Sequence, residues 1–118
     1  MPKNYLLIYS EQLATEIELL CQNIKAPSNT LFQIRKSSSS VYANIREANY
    51  GQSRADMLSK FEIALKECSE TEGWLQLLFN TNIIESIIKY IFTSSFFLVA
   101  NFNIVNDIIP NIIPSAML

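Results

Sequence analysis

Residues 43–79 read ANIREANYGQSRADMLSKFEIALKECSETEGWLQLLF, and the fold turns on them. Leu58, Phe61, Leu65, Cys68, Glu72, Leu75 and Phe79 recur at intervals alternating between three and four residues. That is the period of a helix laid against a bundle. Upstream of this seam Tyr50-Gly51-Gln52 interrupts the pattern, with Gly51 suited to a left-handed helix end. Ser53 followed by Asp56 has the spacing of an N-terminal capping box, although Glu or Gln more often fills the last place. The stretch predicts the end of one helix, a tight turn, and a long helix over residues 54–80.

Working back towards the N-terminus, Ile34, Ser38, Val41, Ile45 and Ala48 continue the same alternation and predict a helix over 30–49. The run Ser37-Ser38-Ser39-Ser40 lies inside it, where serine hydroxyls compete for backbone groups. Small residues there would let another helix approach closely; an exposed polar patch would explain them equally well. A further helix is expected over 3–25. Leu6, Leu13, Ile17, Leu20 and Ile24 share one of its faces, and Glu11, Glu16 and Glu18 lie outside that face. Lys25 complements its C-terminal dipole, and Ala26-Pro27-Ser28-Asn29 closes it.

Downstream, Ile84, Ile88, Ile91, Ser95, Leu98, Phe102, Val105 and Ile109 keep the heptad and predict a fourth helix over 83–107. Pro110 and Pro114 leave 108–118 as an apolar tail. After Glu85 the only charges are Lys89 and Asp107. The uncharged run from Tyr90 to Asn106 is close to the shortest membrane span, but Thr93, Ser94, Ser95, Asn101 and Asn103 interrupt it. A helix buried on several sides, by its own bundle and by neighbouring subunits, fits this composition better than a membrane anchor. The expected architecture is one all-α domain over 1–118, an antiparallel up-down-up-down four-helix bundle.

Composition narrows the function. Of the 118 residues 49% are apolar and 17% charged, which describes a globular chain rather than a disordered one. The net charge of −2 argues against binding nucleic acid by bulk charge. The cations are unevenly spread, however: Arg35, Lys36, Arg46, Arg54, Lys60 and Lys66 all fall between positions 35 and 66. They form either a local basic face or an ordinary solvated one. Cys21 and Cys68 read as small core residues of a protein kept in a reducing compartment. With no basic and apolar leader at the N-terminus, the expected location is the cytoplasm.

Catalytic chemistry finds little support. The absence of histidine removes Ser-His and Cys-His catalysis, the commonest transition-metal ligand, and the Glu-x-x-His motifs of di-iron bundles. No CxxC pair, GxGxxG or P-loop is present. No catalytic, cofactor-binding or metal-binding residue is therefore expected, and no cofactor. Tyr5, Tyr9, Tyr42, Tyr50 and Trp74 are not arranged as an obvious base-stacking platform. Glu72 interrupts the seam of the third helix, where an unpaired carboxylate would be costly, so it is expected to form an ion pair with Arg46.

The central stretch resembles the four-helix-bundle family of 23S rRNA-intervening-sequence proteins. The resemblance is carried by Gln33-Ile34-Arg35-Lys36-Ser37-Ser38, Ala43-Asn44-Ile45-Arg46-Glu47-Ala48 and Gln52-Ser53-Arg54-Ala55-Asp56. It continues through Ala64-Leu65-Lys66-Glu67 and Glu70-Thr71-Glu72-Gly73-Trp74-Leu75, and covers about residues 31 to 82. It implies a bacterial up-down-up-down bundle assembled as a homopentamer, with a poorly defined biochemical role. A related branch comprises the accessory variability proteins of diversity-generating retroelements, whose basic surface binds nucleic acid. By that resemblance Arg35, Lys36, Arg46, Arg54, Lys60 and Lys66 become candidates for an RNA-facing surface. The Ile- and Phe-rich fourth segment departs from the family, where a more polar helix with a basic tail is expected.

The leading expectation is a non-enzymatic, oligomeric protein associated with RNA or a ribonucleoprotein. The alternative is a structural or protein-interaction module, retroelement accessory-like or other, that docks a partner through its apolar fourth helix and has no nucleic-acid role.

Overall fold

The computed structural model describes residues 5–50 and 52–86. Among them are three α-helices and no strand: α1 (Tyr5–Asn23), α2 (Ser28–Ala48) and α3 (Arg54–Asn80). The three helices expected from apolar spacing over these residues are present, each within two residues of its expected ends where both are described.

Local chemistry sets those ends. The Asn23 side chain donates to the Leu19 carbonyl at 2.6 Å, and Pro27 four residues on disfavours helical backbone before it. α1 accordingly stops at Asn23 rather than Lys25. Pro27, with ψ of 139°, is the residue before α2, and its carbonyl accepts the first bond from the Leu31 amide at 3.1 Å. A proline fits there because the missing N–H would have had no partner. α2 therefore opens at Ser28, two residues earlier than expected. At its other end the Asn49 side chain donates to the Ile45 carbonyl, and the Tyr50 amide donates to Glu47. Gly51, the expected left-handed residue, lies outside the described residues.

Ser53 caps α3 as its spacing predicts. Its backbone is extended and its hydroxyl accepts from the Asp56 amide at 3.1 Å, while the Asp56 carboxylate sits in the positive first turn. The C-terminus is a Schellman motif: Asn82 adopts φ of 61°, its amide donates to Phe79, and the Ile83 amide donates to Leu78 at 2.9 Å. Ile83 and Leu78 then line a small apolar cleft with Pro27 and Thr30, which ties the end of α3 to the start of α2. This termination corrects the expected start of a fourth helix at 83, since residues 83–86 are not helical. The rest of that expected helix, the uncharged run considered as a membrane span and the apolar tail lie outside the described residues.

α2 is the central element, packed against both α1 and α3. Glu47 meets Lys60 and Ser37 meets Thr71, so ascending along α2 means descending along α3. Glu18 likewise meets Arg35 across the short 24–27 connection, which turns α2 back along α1. All five seam residues expected on α2 are buried, together with Thr30 and Ser37. On α1, Leu6, Leu13 and Ile17 are buried as expected, with Ser10 and Cys21 beside them. Cys68 is buried as well, and burial pushes the Cys21 thiol up.

The stripe on α3 is rotated from the expected one. Phe61, Ala64, Cys68, Thr71, Leu75 and Leu78 are buried, whereas Leu58, Leu65 and Glu72 are half-buried and Phe79 is exposed. The rotation turns the small residues Ala64 and Thr71 inward, and Thr71 contacts Ser37 of α2. The serine run divides accordingly. Ser37 and Ser38 are buried, with hydroxyls bonded back to the carbonyls of Ile34 and Arg35, while Ser39 is exposed.

The expected Arg46–Glu72 ion pair is not formed. Since Ser37 is level with Thr71, Glu72 is level with about position 36 of α2, and Arg46 lies ten residues away, roughly 15 Å along the axis. Arg46 instead donates to the Tyr42 hydroxyl at 3.0 Å. Glu72 keeps a buried Oε1 with no hydrogen-bond partner, as does Glu16 with its Oε2. Burial accordingly pushes the Glu72 carboxyl above the ordinary range.

Candidate nucleic-acid interface

The six cations singled out in the sequence do not converge on one face. Arg35 leans towards α1, its Nε 2.7 Å from Glu18 Oε2. The hydrogen bond from Arg35 lowers the Glu18 carboxyl and raises the guanidinium in return. Lys60 is engaged on the other side of α2, 3.0 Å from Glu47, whose hydrogen bond raises the ammonium. Both pairs are solvent-exposed at one or both partners, so they offset charge more than they stabilise the fold. Arg54 is exposed at the first turn of α3, and Lys66 is exposed further along it.

Lys36 and Lys66 approach Glu67 from two helices. The Glu67 carboxyl is raised chiefly by burial and by repulsion from Glu70, and both lysines oppose that rise. The α2–α3 side is thus electrically mixed, with acids and bases interleaved.

Charge segregates by helix instead. α1 carries Glu11, Glu16 and Glu18 and no Lys or Arg; α3 carries five carboxylates against Arg54, Lys60 and Lys66. Only α2 is positive, with Arg35, Lys36 and Arg46 against Glu47. The helix flanked by the other two is therefore the cationic one in an acidic chain.

Its outward side carries a second regular stripe. Phe32, Lys36, Ser39, Ala43, Arg46 and Tyr50 follow one another at 4-3-4-3-4 and are all exposed, Phe32 by 59% and Tyr50 by 79%. An aromatic residue and a cation thus stand one turn apart at the Phe32 end, with small residues beyond them. At the other end Tyr50 lies in the turn two residues past α2, and Arg46 reaches back to Tyr42. Near Tyr50 the turn between α2 and α3 holds an open cleft of about 680 Å³ lined by Arg46, Glu47, Tyr50, Ser53, Asp56 and Lys60. Phe32 is not among the residues expected from sequence to form a surface site. Its signal was the same three-and-four spacing read on the face opposite the core seam.

Among the described residues no cluster of His, Cys, Asp and Glu is placed to hold a metal ion. No helix among them is long and apolar enough to cross a membrane.

Fold and surface together define a small all-α protein built around a cationic central helix. The model of the 23S rRNA-intervening sequence protein family matches residues 7–93. A crystal structure of a protein of unknown function, from the S23 ribosomal protein family of Bacteroides thetaiotaomicron VPI-5482, is 35% identical. The similarity covers 90% of this chain and 99% of that one, with a TM-score of 0.72. No curated protein matches. The chain belongs to the 23S rRNA-intervening sequence protein family.

Proposed function

We propose that the protein is a non-enzymatic, RNA-associated binding protein of the cytoplasm, acting as an oligomer through the exposed cations of α2 and the start of α3. The observation that carries this reading is the charge segregation: of the three described helices α2 alone is positive, in a chain of net charge −2. Nucleic-acid binding by such a chain has to be local, because phosphate contacts need concentrated Lys and Arg. Lys36, Arg46, Arg54 and Lys66 supply the exposed charge; Arg35 and Lys60 are committed to Glu18 and Glu47 and play a lesser part. Family membership supports the same reading, and the alternating directions of α1, α2 and α3 support an antiparallel bundle; assembly as a homopentamer is part of the proposal.

Charge reversal tests the reading. Glu at Lys36, Arg46 and Arg54 together is expected to abolish binding to a fragment of 23S rRNA, while Glu at Arg35 weakens it only slightly. RNA affinity unchanged by the triple reversal would refute the proposal. Light scattering behind size exclusion tests the assembly: a stable pentamer is expected, and a monomer would contradict it.

A further inference from the structure

We infer that the outward stripe of α2 is a single-strand subsite, on which unpaired bases stack against Phe32 and Tyr50 while Lys36 and Arg46 hold the intervening phosphates. The inference rests on the nucleic-acid reading and specifies its ligand. From Phe32 to Arg46 the stripe rises about 21 Å along α2, and Tyr50 follows in the turn just past the helix end. Such a span accommodates roughly four nucleotides, the short end of what single-strand-binding folds cover.

Three features favour an unpaired strand over other ligands. A duplex keeps its base faces stacked, so it would meet the cations and leave both exposed rings unused. An apolar helix from a protein partner would need a continuous hydrophobic seam. Here the two rings are separated by Lys36, Ser39, Ala43 and Arg46. Ser39 and Ala43, being small, leave the middle of the stripe open for a sugar-phosphate backbone to approach. At the Tyr50 end an open cleft adjoins the stripe, walled by Arg46 and by the paired Glu47 and Lys60, with Asp56 beside them.

The test is fluorescence anisotropy with a labelled, non-self-complementary 16-nucleotide RNA, used alone and annealed to its complement. Wild type is compared with Phe32→Ala, Tyr50→Ala and the double variant Lys36→Gln/Arg46→Gln. Each aromatic truncation is expected to weaken single-strand binding about fivefold or more and to leave duplex binding unchanged. The charge variant is expected to weaken both. Both rings are exposed, so helicity by circular dichroism should not change. Single-strand affinity that survives both truncations but falls in the charge variant would overturn the stacking subsite and leave the nucleic-acid reading standing. RNA affinity that is absent in wild type, or indifferent to the charge variant, would overturn both. A truncation that changes the mass by light scattering without changing RNA affinity would make this face a contact between copies, and would overturn the inference.

Discussion

Thr71 Oγ1 of α3 stands 2.8 Å from Ser37 Oγ of α2, with both side chains buried in the centre of the helix pair. Thr71 also lies 2.9 Å from the Glu67 carbonyl, so its single proton serves two acceptors. Ser37 in turn reaches the Ile34 carbonyl at 3.2 Å. Each hydroxyl thus keeps a backbone partner if the other is lost. Ser37→Ala is expected to cost no more than about 1 kcal/mol. Ser37→Leu forces bulk into this buried contact between α2 and α3, and should cost about 1–3 kcal/mol or more. Urea unfolding of the two variants measures this; a tolerated leucine would contradict the close packing.

Glu72 makes stability depend on pH in an uncommon direction. Its carboxyl is raised by burial, with no partner at Oε1 to offset the penalty. Between the unfolded and folded values the native state holds a proton that the unfolded chain has released. Stability therefore falls as pH rises through that window. Glu72→Gln removes the charged form and should stabilise the protein slightly at pH 7, by less than a fully buried carboxyl would give because the half-buried site is partly screened by solvent. The gain should vanish below about pH 4, where both states are protonated. An equal gain at both pH values, or a loss at pH 7, would show that Glu72 is satisfied in solution.

Asn82 closes α3 in left-handed backbone, where a side chain other than Asn or Asp is strained. Asn82→Ala is expected to lower stability by about 1 kcal/mol, and Asn82→Gly to leave it within about 0.5 kcal/mol. Thermal unfolding of the pair gives the comparison. Equal melting temperatures would mean that the turn is not left-handed.

Much of this fold is legible in the sequence because helical periodicity is local. The five seam residues of α2 and the Ser53 cap of α3 follow from spacing and residue type alone. The rotation of the α3 stripe does not, since Leu65 and Ala64 both suit an apolar position and only the partner helix decides between them. Arg46 and Glu72 illustrate the same limit. Their charges match, but pairing depends on register, and register is fixed by distant contacts such as Ser37 with Thr71. Of the candidate site, the six cations are visible in the sequence but their neutralisation is not, because Glu18 and Glu47 reach Arg35 and Lys60 only across helices. Phe32 stands two residues before Ile34 and so off the α2 seam, and its exposure follows once Ile34, Ser38 and Val41 are buried.

The most direct test of the cationic α2 face is the salt dependence of RNA binding, with the logarithm of affinity plotted against the logarithm of salt concentration. Wild type should give a clearly negative slope. Lys36→Gln/Arg46→Gln should make it shallower by about 1.4, the loss of two phosphate contacts on a single strand. A slope that is flat in wild type, or the same in both proteins, would contradict the assignment of nucleic-acid binding to α2.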